Sequence, residues 1–110
     1  MVQADRIAYV AGPYSGDVRS NILRAVEMGA LLLRHTNYLP IIPHVSQNHA
    51  TPWDIAMERD YEIMRGLDPA CDIVVTLGGW EHSMGSCEEV KLAHTLGLTV
   101  KHWDEVLHAE

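Results

Sequence analysis

The sequence predicts a single α/β domain, a mostly parallel sheet of four or five strands with helices on both faces. Three observations predict it. Short β-rich runs alternate with longer segments of helical period, and that alternation is the pattern of strands joined by helical crossovers. The run Ile73–Leu77 (IVVTL) is almost continuously β-branched, as in a strand covered on both faces. A chain of 110 residues can fill one compact domain and is too short for two ordinary ones.

The elements follow in order. Arg6–Ala11 (RIAYVA) is the first strand, ended by the turn signal Gly12-Pro13. From about Asp17 to Thr36 the residues Ile22, Val26, Gly29, Ala30 and Leu33 recur at helical spacing and mark an apolar helix face, with Asn37 placed to close the helix. Leu39–Ile42 is a second short strand, where Pro40 signals a strand end or an irregular edge. His44–Ala50 is polar and reads as loop. Thr51 as N-cap, Pro52 at the first helical position and Asp54 closing a capping box then open a helix that runs to about Leu67. After the strand Ile73–Leu77 come a loop over Gly78–Gly85, a helix over Ser86–Leu96, a strand over Thr99–His102 and a short tail helix over Trp103–His108. This is a flavodoxin- or Rossmann-like order within one domain over residues 1–110. In such sheets a ligand lies outside the carboxyl ends of the strands, where strand order reverses. The loops starting at Gly12, Pro43 and Gly78 all leave carboxyl ends.

Composition narrows the function classes. At 47% hydrophobic and 21% charged the chain reads as globular, and no apolar run reaches the ~18 residues of a membrane span. The start MVQADRIAYVAG enters a strand without a basic stretch and a long apolar block, so no secretory signal is expected. Cys71 and Cys87 sit in no paired-ligand spacing and read as free thiols in a reducing cytosol. A net charge of −7 argues against a nucleic-acid polymer as partner, since backbone binding needs clustered Lys and Arg. It leaves room for a single nucleotide, whose phosphate can be held by backbone amides at a helix N-terminus.

Two acids stand out by position. In the helix after Gly85, Val90, Ala93 and Leu96 form the apolar stripe, while Glu88 is placed to pair with Lys91 on the wet side. Glu89 instead has small or apolar helical neighbours, among them Gly85, Ser86, Leu92 and Ala93. In the preceding helix Glu58, Arg59, Glu62 and Arg65 are placed for surface pairs, whereas Asp60 lies among Ala56, Met57, Ile63, Met64 and Leu67. A buried carboxylate is unfavourable unless hydrogen-bonded, and desolvation raises its pKa. Two such acids near one sheet edge match the paired carboxylates of glycosyl transfer, or else a helix-edge Glu capping a loop and an Asp bonded to a backbone amide.

YVAGPYSG at 9–16, ERDYEIMRGLDPACDIVV at 58–75 and SMGSCEEVKLA at 83–93 together resemble the nucleoside 2-deoxyribosyltransferase superfamily. Within it the chain most resembles 2′-deoxynucleoside 5′-phosphate N-hydrolases and small uncharacterised relatives, over nearly its whole length. The resemblance implies that Glu89 is the nucleophile that attacks C1′, that Asp60 acts near the leaving base, and that the Tyr9 hydroxyl orients the nucleophile. It implies that Ser83 and Gly85 form the segment in front of the nucleophile, where a serine can bind a 5′-phosphate, and that His44 lines the base pocket. It implies a substrate contact for the first loop, Gly12, Pro13, Tyr14, Ser15 and Gly16. In those hydrolases that loop carries a serine and an arginine for phosphate; here either Arg19, a few residues later, is the substitute or the substrate carries no phosphate. The segment GGWEH (78–82) is longer and more aromatic than theirs, with Trp80 either stacking on a base or covering the sheet end.

The reading is therefore a cytoplasmic N-glycosidase of nucleosides or nucleoside 5′-monophosphates, hydrolysis favoured over base transfer, with no cofactor. Rival chemistries are weaker. His44, His49, Asp54 and His82 suggest a metal only loosely, because no HxxxH or HxxE pair falls on an expected helix. Cys87 near a helix start reads as a structural thiol more than a nucleophile. Gly12-Pro13-Tyr14-Ser15-Gly16 is too proline-rich for a dinucleotide fingerprint. The alternative from another class is a nucleotide-binding sensor without turnover. A homodimer or larger assembly is expected, with Trp53, Met57 and Met64 either as its seam or as a stripe packed into the core.

Overall fold

The computed structural model describes residues 5–46 and 50–108. Strands β1 (Arg6–Ala11), β2 (Tyr38–Ile41), β3 (Ile73–Thr76) and β4 (Thr99–His102) form one parallel sheet in the order β2-β1-β3-β4. Helices α1 (Val18–His35), α2 (Trp53–Arg65), α3 (Met84–Thr95) and α4 (Trp103–Leu107) connect and cover it. The expected α/β class and parallel topology hold, with four strands among the described residues.

Period-two alternation along the central strands divides the core between the two faces. Ala8 and Val10 of β1 pack with Ile73 and Val75 of β3 against Ala25, Met28 and Leu32 of α1 and Val106 of α4. Tyr9, Ala11 and Val74 point to the opposite face, where they meet Met64 of α2 and Ala93 of α3. All four residues of β3 are buried, as its β-branched run predicts. Pro40 falls in the edge strand β2, where a residue without an N–H is tolerated.

Several local expectations shift. On α1 the buried residues are Ala25, Met28, Gly29 and Leu32, so Val26, Ala30 and Leu33 point away from the core. The helix is apolar around much of its circumference, and spacing alone did not select the face. Steric fit does: a Cβ at Gly29 would lie 2.4 Å from Ile42 Cδ1, so α1 sits close against the chain leaving β2. Its N-cap is Asp17, whose carboxylate accepts the Ser20 N–H. Its C-cap is Thr36 in extended conformation, donating its hydroxyl to Leu32 O, rather than Asn37. At α2, Pro52 is itself the N-cap in an extended conformation (ψ 141°) and no side chain caps the helix. The capping box expected from Thr51 and Asp54 is absent because helical geometry starts one residue too late. The segments Pro43–Ser46 and Trp80–His82, expected as loop, are short 3₁₀ turns. The second leads into α3, which begins two residues earlier than expected because Ser83 caps it by accepting the Ser86 N–H.

From β1 the chain moves outward to β2, then returns past β1 to β3, so strand order reverses between β1 and β3. The two strands stay joined beyond the ladder, Leu77 N–H donating to Ala11 O at 2.9 Å. At their carboxyl ends Gly12 lies directly against Leu77: a Cβ there would sit 2.9 Å from Leu77 Cδ1 and 3.0 Å from its Cβ. Because one of those atoms is fixed to the backbone, the contact cannot be relieved by a rotamer change alone. Gly12→Ala is expected to lower the unfolding free energy by about 1–3 kcal/mol in urea titrations. An unchanged midpoint would show that the two loops part readily.

Candidate active site

Three side chains from distant parts of the chain meet on the α2/α3 side of the sheet. Tyr9 is wholly buried in the middle of β1, and its hydroxyl donates a hydrogen bond to Glu89 Oε2 across 80 residues of sequence. Glu89 lies on the first turns of α3 and is only 6% exposed. Asp60, 4% exposed on α2, neighbours both the Tyr9 hydroxyl and the Glu89 carboxyl.

The electrostatics follow from this packing. Burial pushes the Glu89 carboxyl well above the ordinary carboxylate range; the Tyr9 hydrogen bond acts in the opposite direction, and neighbouring Asp60 raises it further. Tyr9 is also pushed up, first by burial and then by the negative charges of Glu89 and Asp60. The phenol therefore stays protonated and can only serve the acid as donor or bridge.

A third buried acid shows what a structural carboxylate looks like here. Asp72 accepts the Ile7 N–H at 2.8 Å and the Asp68 N–H at 2.7 Å, so both oxygens are used by backbone. Glu89 instead faces a cavity of about 300 Å³, at the lower end of the size of small-molecule sites.

The loop after β1 contributes Gly12, Pro13, Tyr14 and Ser15 to that cavity, and the turn after β2 contributes His44. Asp60 lines it from α2, and Ser83, Gly85 and Glu89 line it from the start of α3. Gly85 is small for a reason: a Cβ there would lie 3.3 Å from Met57 Sδ, so it lets α3 approach α2. His44 is 4% exposed, and its Nε2 lies 3.1 Å from Gly12 O and 3.2 Å from Pro13 O. Both partners are carbonyls, so Nε2 carries the proton and donates. Burial lowers the His44 pKa, and the Nδ1 of the neutral ring is a buried acceptor with no partner among the described residues.

Ten of the thirteen anticipated site residues are thus assembled, Tyr9 standing just behind the cavity wall. Three are not. Gly16 is exposed in a turn with φ +93°. Arg19 is exposed on α1, which packs against the other face of the sheet. Trp80 does not line the cavity; the left-handed turn at Gly79 (φ +87°) leads into a 3₁₀ turn from which His82 reaches it instead. Of the residues weighed for a metal, His44 and His82 line the cavity, Asp54 is exposed, and His49 lies outside the described residues. Among the described residues no three His, Cys, Asp or Glu side chains are grouped to hold an ion.

The sequence reading missed Ser86, Trp53, Met57 and His82 as lining residues. Three had a signal: Trp53 and Met57 lie seven and three residues before Asp60 on its helix face, and Ser86 lies one turn before Glu89. The seam assigned to Trp53, Met57 and Met64 is corrected as well. Met64 is wholly buried in the core and Met57 faces the cavity, leaving only Trp53 exposed. Other large apolar side chains are exposed on α1, at Leu23, Val26, Leu31 and Leu33, and elsewhere at Ile55 and Met84. No described helix is long and apolar enough to cross a membrane.

Residues 6–102 match the model of a family described as a domain of unknown function, DUF4406. No curated protein and no solved structure matches the chain.

Glu89 holds its proton to higher pH in the folded protein than in the unfolded chain. Between the two pKa values the unfolded chain binds fewer protons, so stability falls as pH rises through that window. Glu89→Gln, neutral throughout, is expected to melt above wild type at neutral pH. The difference should close as pH drops below the ordinary carboxylate range. The limit is about 1.4 kcal/mol for each pH unit by which the midpoint is raised. Thermal unfolding from about pH 4 to about pH 8 reads it, and parallel curves would contradict it.

Proposed function

The chain belongs to the DUF4406 family, whose description assigns no activity, and from its own geometry we propose that it cleaves the N-glycosidic bond of a nucleoside or nucleoside 5′-monophosphate. The observation that carries this reading is the buried Glu89 carboxyl, held by Tyr9, neighboured by Asp60 and facing a cavity at the strand-order reversal. The resemblance of the segments at 9–16, 58–75 and 83–93 to nucleoside 2-deoxyribosyltransferases supports the same assignment.

In the first step a Glu89 oxygen attacks C1′ while the C1′–N bond breaks, its electron pair passing to the base nitrogen. The departing base takes a proton from the carboxylic acid form of Asp60. This leaves a glycosyl ester on Glu89. Water then attacks C1′, the ester C–O bond breaks to return the Glu89 carboxylate, and the water proton goes to Asp60. A free base in place of water gives transfer. Tyr9 positions the attacking oxygen and keeps the other oxygen occupied. The first turn of α3, facing the cavity at Ser83, Met84 and Gly85, has backbone amides suited to an anionic substituent such as a 5′-phosphate.

A cytoplasmic setting belongs to this reading, supported by the free thiols Cys71 and Cys87. So does a homodimer or larger assembly, whose support is the exposed apolar side chains of α1. One observation favours a binding module without turnover instead: Glu89 is protonated more readily than an ordinary carboxylate, and a protonated acid does not attack carbon.

Incubation with a panel of nucleosides and 5′-monophosphates, followed by chromatography, is expected to show free base. Glu89→Gln should lower kcat at least about 10³-fold, and Asp60→Asn about 10²–10⁴-fold. Base release by Glu89→Gln at the wild-type rate would remove the nucleophile from the mechanism. Thermal stabilisation by a nucleotide without base release would favour the binding module.

A further inference from the structure

Ser86 is the most completely buried polar residue of the cavity wall, 1% exposed, yet its Oγ has no hydrogen-bond partner among the described residues. Its backbone amide is already used, donating to Ser83 Oγ. The hydroxyl itself caps nothing and bridges nothing, and a desolvated hydroxyl without a partner is unfavourable in an empty fold. Such a group is retained where a ligand completes it.

Its position names the ligand atom. Ser86 precedes Glu89 by three residues on α3, so both side chains lie on one face, about 4.5 Å apart along the helix axis. A sugar attacked at C1′ by Glu89 extends across the helix surface by roughly the same length. In the C-terminal direction that surface is closed, because Ala93 packs into the core with Tyr9 and Val74. In the N-terminal direction it is open, since Ser83, Met84, Gly85 and Ser86 all line the cavity. The ring therefore has one way to lie.

We infer that Ser86 is a specificity-determining residue whose Oγ pairs with a hydroxyl of the sugar ring, so that the cavity selects hydroxylated sugars over their deoxygenated analogues. The inference rests on the reading of Glu89 as the group that meets C1′.

Binding tests it apart from catalysis. Affinities for a nucleoside, its 2′-deoxy, 3′-deoxy and 2′,3′-dideoxy forms, with one purine and one pyrimidine, are measured by calorimetry on Glu89→Gln and on Glu89→Gln/Ser86→Ala. Glu89→Gln should bind at least one hydroxylated member about tenfold more tightly than the dideoxy form. The double variant should bind them all alike, and its melting temperature should hold or rise. A preference that persists without Ser86, no preference at all, no measurable binding, or a large drop in melting temperature each overturns the proposal. Base release by the wild type is a separate readout: its absence alongside a Ser86-dependent preference would defeat the catalytic reading and leave the subsite standing.

Discussion

The site depends on one hydrogen bond across the sheet–helix boundary, from the Tyr9 hydroxyl to the Glu89 carboxyl. A carboxyl buried this deeply is unfavourable when ionised, and only a donor fixed in the same apolar surroundings offsets part of that. Tyr9 can be such a donor because it sits on a central strand and its ring is packed with Ala11, Met64 and Val74. The parallel topology brings α2 and α3 to the same face of β1, which puts Asp60 beside the pair. Displacing the tyrosine would leave Glu89 beside Asp60 without its buried donor.

Comparison with Asp72 separates scaffold from chemistry. Asp72 is equally buried, but its two oxygens take main-chain N–H groups from β1 and from the segment before β3. It closes a long-range connection and turns no functional oxygen toward a cavity. Glu89 is held by a side chain, the Tyr9 hydroxyl, and lies against a cavity. Burial alone does not distinguish the two roles. Partner type and the adjoining cavity do.

Much of the architecture was legible because the strands are β-branched runs punctuated by Gly and Pro, and β3 in particular has no helical reading. Glu89 and Asp60 were legible because an acid on the apolar face of a helix breaks the pattern around it. Ser86 stands on the same face as Glu89 but breaks no pattern, since serine is ordinary at helix starts and small enough for a core. The face of α1 was not legible, because Leu23, Val26, Leu31 and Leu33 are exposed on a helix that is apolar on several sides. The close approach at Gly29, together with the packing of Ala25, Met28 and Leu32, sets its orientation. Trp80 and Arg19 were misplaced for a different reason: where a turn leads a side chain depends on the backbone path through Gly79 and Gly16, which hydrophobic period does not encode.

The strand order carries a consequence for biogenesis. β1 precedes the other three described strands in the chain, yet it lies inside the sheet with β3 as one neighbour. Tyr9 gains its partner only after 80 further residues have been added. At roughly 5–20 residues per second, that delay amounts to several seconds of translation. For most of it, until β3 is made, an apolar β-prone segment waits in the nascent chain with β2 as its available partner. The geometry that makes the centre of the finished domain secure is thus the one that leaves its oldest strand unsheltered longest.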